Sequence, residues 1–391
     1  MLASIPRYLK MSPGNFLAFI FFVVFVGSYD RTVVAYDGSG TAASSVVKGT
    51  YYPSWTGYSP ESIDTSLFTH IYYAFVNPNN VTYELVVADD DAVSLSDFTS
   101  TLRRKNKAVK ALLSIGGAKE GPALFAVIAS NASSRGVFIK SSIQVARKYG
   151  FDGLDLDWEY PRTHQEMDSL ALLLTEWRFE LEKEAQTTNQ PRLLLTAATY
   201  FSADFFLDAV FRSYPVAAIA TNLDWVNAMC YDYRGPWDVS AVGFQASFFD
   251  PNSNLSSTRG LKSWLKAGLP KEKLIMGMPL YGHSWKLKDP NLTKIGSPAV
   301  AKGPGDGFMP YSDVQGFIRN NSARVIYDPE TVSTYTYANA TWVSYDSVAS
   351  AMVKVGLAQA MGLRGYFFWA LSYEGNWEIS AQASRLWIRD N

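Results

Sequence analysis

The sequence predicts an α/β protein of the (β/α)8 (TIM) barrel class, with a small α+β insertion between strands seven and eight. Eight short, almost continuously apolar runs recur along the chain, as expected of parallel strands buried on both faces. Segments with helical periodicity lie between them, so a strand–helix unit repeats. The interval from Gly282 to Gly365 is too long for one connection and contains β-rich sequence. An open doubly wound sheet is the alternative, but no glycine-rich phosphate loop follows the first run.

The predicted elements define the domain organisation. The strands are Val46–Trp55, His70–Val76, Lys110–Gly117, Gly153–Glu159, Leu193–Tyr200, Trp225–Asp232, Leu274–Gly282 and Gly365–Ser372. The clearest helices are Ser96–Asn106, Ser133–Tyr149, Gln165–Ala185 and Asp346–Met361. We assign residues 46–388 to the barrel and residues 283–345 to the insertion, which is expected to form one wall of a cleft over the barrel mouth.

The composition argues against several classes of function. The 391 residues include 35 basic and 36 acidic side chains, a formal charge of −1, and no long basic run, so nucleic acid is not an expected partner. Three distant histidines and one cysteine make a metal centre difficult to build, because zinc usually takes most of its ligands from these residues. We expect no metal, no cofactor and a monomer. The high aromatic content, 15%, is typical of sites that stack on ring-shaped ligands.

The first residues predict a secretory signal peptide, residues 1–28, with cleavage as late as residue 35. Arg7 and Lys10 precede the apolar run Phe16–Val26, whereas a membrane span needs about 20 such residues. A buried N-terminal helix is the alternative. Six Asn-x-Ser/Thr triplets also favour export, so we expect a secreted, extracellular protein without a membrane span, with the vacuole as another destination. The triplets begin at Asn80, Asn131, Asn254, Asn291, Asn320 and Asn339.

The most informative segment is Phe151–Pro161, which reads FDGLDLDWEYP. Successive side chains of a strand point to opposite faces, so Asp155, Asp157 and Glu159 share one face. In a barrel this face points inward, and Glu159 lies at the carboxyl-terminal mouth, where barrel active sites are found. Crowded like charges raise the pKa of at least one acid, which would keep Glu159 protonated as a general acid. A structural acid network, or charges on an exposed loop, is the alternative.

The spacing of these acids bears on the reaction. Most glycosidases place one carboxylate on each side of the bond that they break. Asp157 and Glu159 lie on one strand, about 7 Å apart along it, so Asp157 is poorly placed to attack from the opposite face. A mechanism with one protein acid suits this spacing better. In a 2-acetamido sugar, the substrate's own carbonyl oxygen can attack the anomeric carbon.

The segment FDGLDLDWEYP resembles the DxxDxDxE signature of family 18 glycoside hydrolases, and the chain from about residue 46 to 388 resembles the plant class V chitinases. Further matching landmarks are SIGG at Ser114–Gly117, the MxYD pattern at 229–232, and Trp369 in the eighth strand. An α+β insertion in the same interval is also a feature of the family. Together these motifs are specific, and they imply a chitinase.

The resemblance implies a role for each matching residue. Glu159 would protonate the glycosidic oxygen and later activate water. Asp157 would hold the acetamido group for attack, Asp155 would modulate the charge of Asp157, and Tyr231 would donate to the acetamido oxygen. Asp152 opens the motif, but strand parity places it off the inward face, so we interpret it as structural. The residues expected to shape the sugar pocket are Tyr51, Phe75, Met229, Asp232 and Trp369, with Trp369 as the platform under the distorted sugar.

Two positions leave alternatives open. Many family members carry an arginine in the segment that reads Tyr281–Trp285 here, and we place His283 at that position. His283 could contact sugar in a weaker or pH-dependent way, or it could simply be hydrogen-bonded in the insertion wall. Trp237 could form a further sugar contact or order its loop. Cys230 alternates with the pocket residues and should be an inert core thiol.

The expected function is secreted, endo-acting hydrolysis of β-1,4-linked N-acetylglucosamine polymers or oligomers, with retention by substrate assistance. The alternative is a catalytically weak or inactive chito-oligosaccharide lectin or receptor-like module. The presence of Glu159 distinguishes the two hypotheses, because a lectin does not need a catalytic acid. A third reading keeps the chemistry but changes the substrate, to N-glycan cores or acylated chito-oligosaccharide signals.

Overall fold

The computed structural model describes residues 46–387, which form the predicted closed barrel of eight parallel strands. We number the barrel strands 1 to 8 in chain order: Val47–Pro53, His70–Val76, Lys110–Gly116, Gly153–Asp157, Leu194–Tyr200, Trp225–Met229, Leu274–Pro279 and Gly365–Trp369. Each strand pairs in parallel with the next, and strand 1 pairs with strand 8 to close the barrel. The predicted signal peptide lies outside the described residues.

Most of the predicted strands continue too far at their carboxyl ends. Strand 4 ends at Asp157 rather than Glu159, and strand 6 ends at Met229 rather than Asp232. Beyond these residues the chain no longer pairs with a neighbouring strand, although it remains packed. The apolar run in the sequence is therefore longer than the strand. Residues that the pattern assigned to strand ends, such as Glu159 and Asp232, therefore line the cleft at the barrel mouth.

Side-chain alternation along the strands builds two apolar layers. Leu154 and Leu156 of strand 4 belong to the large layer between the barrel and its helices. Tyr51, Tyr72 and Phe367 belong to a second cluster that fills the barrel interior. The interior is thus a packed core, as expected for this fold.

Helices surround the barrel. Their bounds are Asp89–Lys105, Pro122–Ser130, Ala132–Lys148, His164–Thr188, Val216–Asn222, Ser257–Lys266, Val348–Ala360 and Glu378–Leu386. The first begins seven residues before the predicted Ser96, and Asp89 and Asp91 in its first turn are favourable at the positive end of a helix dipole. Within residues 46–387 no single helix could cross a membrane, and the one adjacent pair that is apolar and long enough together is bent by 111°.

The predicted insertion between strands 7 and 8 is present as an antiparallel sheet. Its strands are Tyr281–Leu287, Ala299–Lys302, Phe308–Pro310, Arg324–Asp328, Ser333–Ala338 and Thr341–Tyr345, with the helix Tyr311–Asn321. Its first strand begins two residues after strand 7 ends, which places Tyr281 at the barrel mouth. A second addition, absent from the sequence prediction, is the hairpin Asp204–Leu207 and Val210–Ser213 after strand 5.

Candidate active site

A cleft of about 920 Å³ lies at the carboxyl ends of the barrel strands. Nine of the eleven predicted site residues line it. These nine are Tyr51, Phe75, Asp157, Glu159, Met229, Tyr231, Asp232, Trp237 and Trp369. The other two, Asp155 and His283, are buried outside the cleft lining.

Asp155 is fully buried and is held by donors from several strands. Its Oδ2 accepts hydrogen bonds from the Tyr51 hydroxyl and Ser114 Oγ, both at 2.8 Å. Its Oδ1 accepts from Thr196 Oγ1 at 2.6 Å and from Asn227 Nδ2 at 3.3 Å. Burial raises the pKa of Asp155, and these four hydrogen bonds oppose the rise. Asp155 therefore anchors the interior of the barrel beneath the cleft.

Asp157, one inward position further along strand 4, has a different environment. It is 3% exposed, and its Oδ1 accepts no hydrogen bond from the described residues. Burial raises its pKa well above the ordinary range, and the charges of Glu159 and then Asp155 raise it further. A carboxyl with a strongly raised pKa and an unsatisfied oxygen thus borders the cleft.

Glu159 lies in the loop after strand 4 and is half-buried in the cleft. Burial raises its pKa to about 7, and the charge of Asp232 adds to the rise. Hydrogen bonds from the Tyr160 side chain and the Ala118 backbone act in the opposite direction. The acid is therefore largely protonated at mildly acidic pH, as a general acid must be.

The SIGG segment explains how the acids reach this position. Gly116 has φ 121°, and a Cβ there would lie 2.1 Å from the carbonyl oxygen of Asp157. Gly117 has φ 90°, and a Cβ there would lie 2.5 Å from the ring of Phe75. The Gly117 N–H donates to the Asp157 carbonyl at 2.9 Å. Only glycines let strands 3 and 4 approach so closely under an aromatic ring.

Aromatic rings form one side of the cleft. Trp369 stacks on Phe75 with ring centroids 5.7 Å apart and an interplanar angle of 19°, and its centroid is 5.3 Å from that of Tyr51. Trp55, which the sequence analysis did not select, stacks on Phe75 at 6.0 Å and lies 6.3 Å from Trp369, so the three rings form one cluster. Trp55 is 59% exposed, although a ring of this size is usually buried. The stack offers flat surfaces of the kind on which sugar rings pack.

Tyr231 and Met229 lie at the end of strand 6, both 9% exposed. Burial raises the pKa of the Tyr231 phenol well above its ordinary value, and the charge of Asp157 contributes next. The hydroxyl therefore stays neutral and can donate a hydrogen bond. The Tyr231 ring is fixed edge-on against Tyr281 and Phe367, at centroid distances of 6.3 and 6.2 Å.

Asp232 lines the cleft, whereas His283 lies behind it. Asp232 Oδ1 accepts from the Tyr281 hydroxyl at 2.5 Å and lies 2.8 Å from His283 Nε2. The structure therefore does not support a direct sugar contact by His283, because Asp232 stands between the ring and the cleft. Trp237, 63% exposed, packs edge-on against His283 and does line the cleft.

Several lining residues were missed by the sequence analysis. They include Trp55, Asn77, Tyr160, Tyr200, Leu207 and Tyr281. Tyr160 follows Glu159 directly and could have been selected from the motif. Leu207 could not, because its hairpin was not predicted. Among residues 46–387 no group of three or more His, Cys, Asp or Glu is arranged to hold a metal ion.

Comparisons with known proteins agree with this geometry. The sequence profile of "Glycosyl hydrolases family 18" matches residues 48–374. The chain is 50% identical over 347 residues to Nod factor hydrolase protein 1 of Medicago truncatula, covering 87% of this chain and 90% of that protein. A class V chitinase mutant from Nicotiana tobaccum in complex with NAG4 superposes with a TM-score of 0.84 at 38% identity, covering 88% and 99% of the two chains. The chitinase-like agglutinin from Robinia pseudoacacia gives 0.81 at 38% identity, covering 88% and 100%.

Proposed function

Because the chain belongs to glycosyl hydrolase family 18, we propose that it cleaves β-1,4-linked N-acetylglucosamine oligomers within the chain, with retention and with the substrate's acetamido group as nucleophile. The observation that carries the proposal is how the environment of the acids changes from Asp155 and Asp157 on strand 4 to Glu159 in the loop that follows it. Asp155 is fully hydrogen-bonded, Asp157 has an unsatisfied oxygen, and Glu159 is a half-buried acid with a pKa of about 7.

In the first step Glu159 donates its proton to the glycosidic oxygen. The bond between that oxygen and the anomeric carbon breaks, and the acetamido carbonyl oxygen attacks the same carbon to form an oxazolinium ring. The ionised Glu159 then takes a proton from water, whose oxygen attacks the anomeric carbon and reopens the ring. Two displacements at one carbon retain its configuration.

Asp157 and Tyr231 are placed to assist the nucleophile. The unsatisfied Oδ1 of Asp157 is an acceptor for the acetamido N–H, and that hydrogen bond would strengthen as positive charge develops in the oxazolinium ring. The neutral Tyr231 hydroxyl is a donor for the acetamido oxygen and would orient it toward the anomeric carbon. Asp155 would fix strand 4 and its charge would favour the proton on Asp157.

The shape of the cleft supports binding within a polymer chain. Trp369 would carry the sugar at the bond that breaks, and Trp55 and Trp237 provide exposed rings in the same cleft for further sugars. The resemblance to Nod factor hydrolase protein 1 adds Nod factors to the substrates that should be tested.

Secretion remains part of the proposal. The six triplet asparagines, at 80, 131, 254, 291, 320 and 339, are all exposed in the structure, as glycan attachment would require. A protein secreted in this way would carry glycans that peptide N-glycosidase removes.

The similarity to an agglutinin keeps a binding function as the second candidate. The presence of Glu159 beside Asp157 and Tyr231 favours hydrolysis, because sugar binding alone does not need a protonated acid.

A product assay on the hexamer of N-acetylglucosamine separates the two functions. Wild type should release dimers to tetramers, and Glu159→Gln should lose roughly 10⁴-fold in turnover while still binding the hexamer. Glu182→Gln, an exposed change on the helix His164–Thr188, is the matched control and should act as wild type. Binding without cleavage by wild type would establish the lectin function instead.

A further inference from the structure

The surroundings of His283 suggest a role other than contact with sugar. Its Nε2 lies 2.8 Å from Asp232 Oδ1, and its Nδ1 lies 3.2 Å from the carbonyl oxygen of Gly307. The rings of Trp237 and Tyr281 pack edge-on against it, with centroids 5.1 and 5.5 Å away. Together these four contacts fix the position of the imidazole ring.

The two polar partners of the ring are both acceptors. A carboxylate and a carbonyl oxygen each require an N–H, and a neutral imidazole has only one. A neutral ring would turn a lone pair toward one of these oxygens. Only the imidazolium form satisfies both contacts, and Asp232 supplies the opposite charge.

No other charged group competes closely for this ring among the described residues. The strands that pair with His283 place Phe308 and Ser344 opposite it. The turn that carries Gly307 holds an ion pair between Lys302 and Asp306, at 3.0 Å, which is exposed and therefore screened by solvent. Asp232 is the charge that faces the histidine.

Asp232 connects this histidine to the catalytic centre. Both of its hydrogen bonds, from Tyr281 and His283, end on Oδ1, and nothing among the described residues donates to Oδ2. Its backbone is in the left-handed region, with φ 60°. Its negative charge is one of the causes that raise the pKa of Glu159, after burial.

We propose that His283 is a positioning residue that, as an imidazolium, holds Asp232 by Oδ1, leaves Oδ2 for the substrate and offsets the negative charge beside Glu159. The proposal rests on the proposed function, in which Glu159 is the acid. Removing the positive charge of His283 should leave the negative charge of Asp232 uncompensated. Glu159 should then be harder to ionise, because a second negative charge would form beside the first.

The kinetic test uses His283→Gln, Asp232→Asn and the double variant, with cleavage of the N-acetylglucosamine hexamer measured between about pH 4 and 9. His283→Gln should lower kcat/KM about tenfold and move the alkaline limb of the profile to higher pH. In the Asp232→Asn background the same change should have almost no further effect. His164→Gln, an exposed histidine outside the cleft, should leave the profile unchanged.

An unmoved alkaline limb, or full effects of both changes in the double variant, would overturn the proposal. Nitrogen-15 NMR of the three histidines gives a readout that does not need activity. At about pH 7.5 both ring nitrogens of His283 should carry a proton in wild type and only one in Asp232→Asn. A neutral ring in wild type would reject the proposal, whereas an inactive wild type with a doubly protonated ring would reject only the proposed function.

Discussion

Buried aspartates of barrel strand 4 and of the end of the insertion have opposite kinds of environment. In barrel strand 4, Asp155 and Asp157 are 0% and 3% exposed and make no ion pair with the described residues. At the end of the insertion, Asp346 is 2% exposed and is paired with Lys354, whose Nζ lies 2.6 and 2.7 Å from its two oxygens. Ser350 Oγ donates to the same carboxylate at 2.8 Å.

The difference shows what each region is for. Asp346 follows the last insertion strand, and Lys354 lies on the helix Val348–Ala360, so their ion pair joins the insertion to the barrel layer. Lys354 also donates to the carbonyl of Ala246, so its buried charge is fully hydrogen-bonded. In strand 4 no cation offsets the burial of Asp157, so its pKa rises well above the ordinary range. Pairing therefore provides fixed structure, and its absence provides proton chemistry.

The largest expected effect on stability is in the paired region. Lys354→Met leaves the Asp346 charge buried without a partner and should lower the free energy of unfolding by about 3–5 kcal/mol. Urea unfolding measures the loss. The double variant Lys354→Met with Asp346→Leu should recover most of it, because no unpaired charge remains. A loss below about 1 kcal/mol for the single change would mean that the pair is not the buried anchor described above.

The corresponding change in strand 4 should affect turnover rather than stability. The raised pKa of Asp157 favours its neutral carboxyl, which the amide of Asp157→Asn resembles, so the free energy of unfolding should change by no more than about 1 kcal/mol. Turnover of the hexamer should fall roughly 10²-fold, because an amide, unlike the Asp157 carboxyl, cannot lose a proton to oppose the positive charge of the oxazolinium ring. A severe loss of stability with full turnover would give strand 4 a structural role and remove the contrast.

A smaller effect is expected on the pH profile. Glu159 must be protonated to act as the acid, and its pKa is raised to about 7 by burial and by Asp232. The value of kcat/KM should therefore fall as pH rises through about 7, approaching tenfold per pH unit above it. A limb near the ordinary value of glutamate, about 4.3, would show that burial does not set the protonation of this acid.

The sequence predicted the barrel because its signal is local. Each strand is a short apolar run, and the parity of Asp155, Asp157 and Glu159 follows from the period of a strand alone. The family motifs then identified nine residues that meet in one cleft although they come from distant parts of the chain.

The remaining features depend on contacts that no local pattern records. The donors to Asp155 come from strands 1, 3, 5 and 6, and nothing in the sequence of strand 4 names them. Trp55 was assigned to a strand, although the strand ends at Pro53 and leaves the ring exposed. The position of His283 behind Asp232 depends on how the insertion sheet meets the barrel mouth.

The central claim is that one protein acid and the substrate's own acetamido group supply the chemistry, with Asp157 held beside them. The most direct measurement compares hydrolysis of two substrates of equal length, the hexamer of N-acetylglucosamine and the hexamer of glucose, by wild type. The account predicts rapid cleavage of the first and no measurable cleavage of the second, because glucose lacks the nucleophile. Comparable cleavage of both would show that a protein carboxylate or water attacks directly, and would contradict the account.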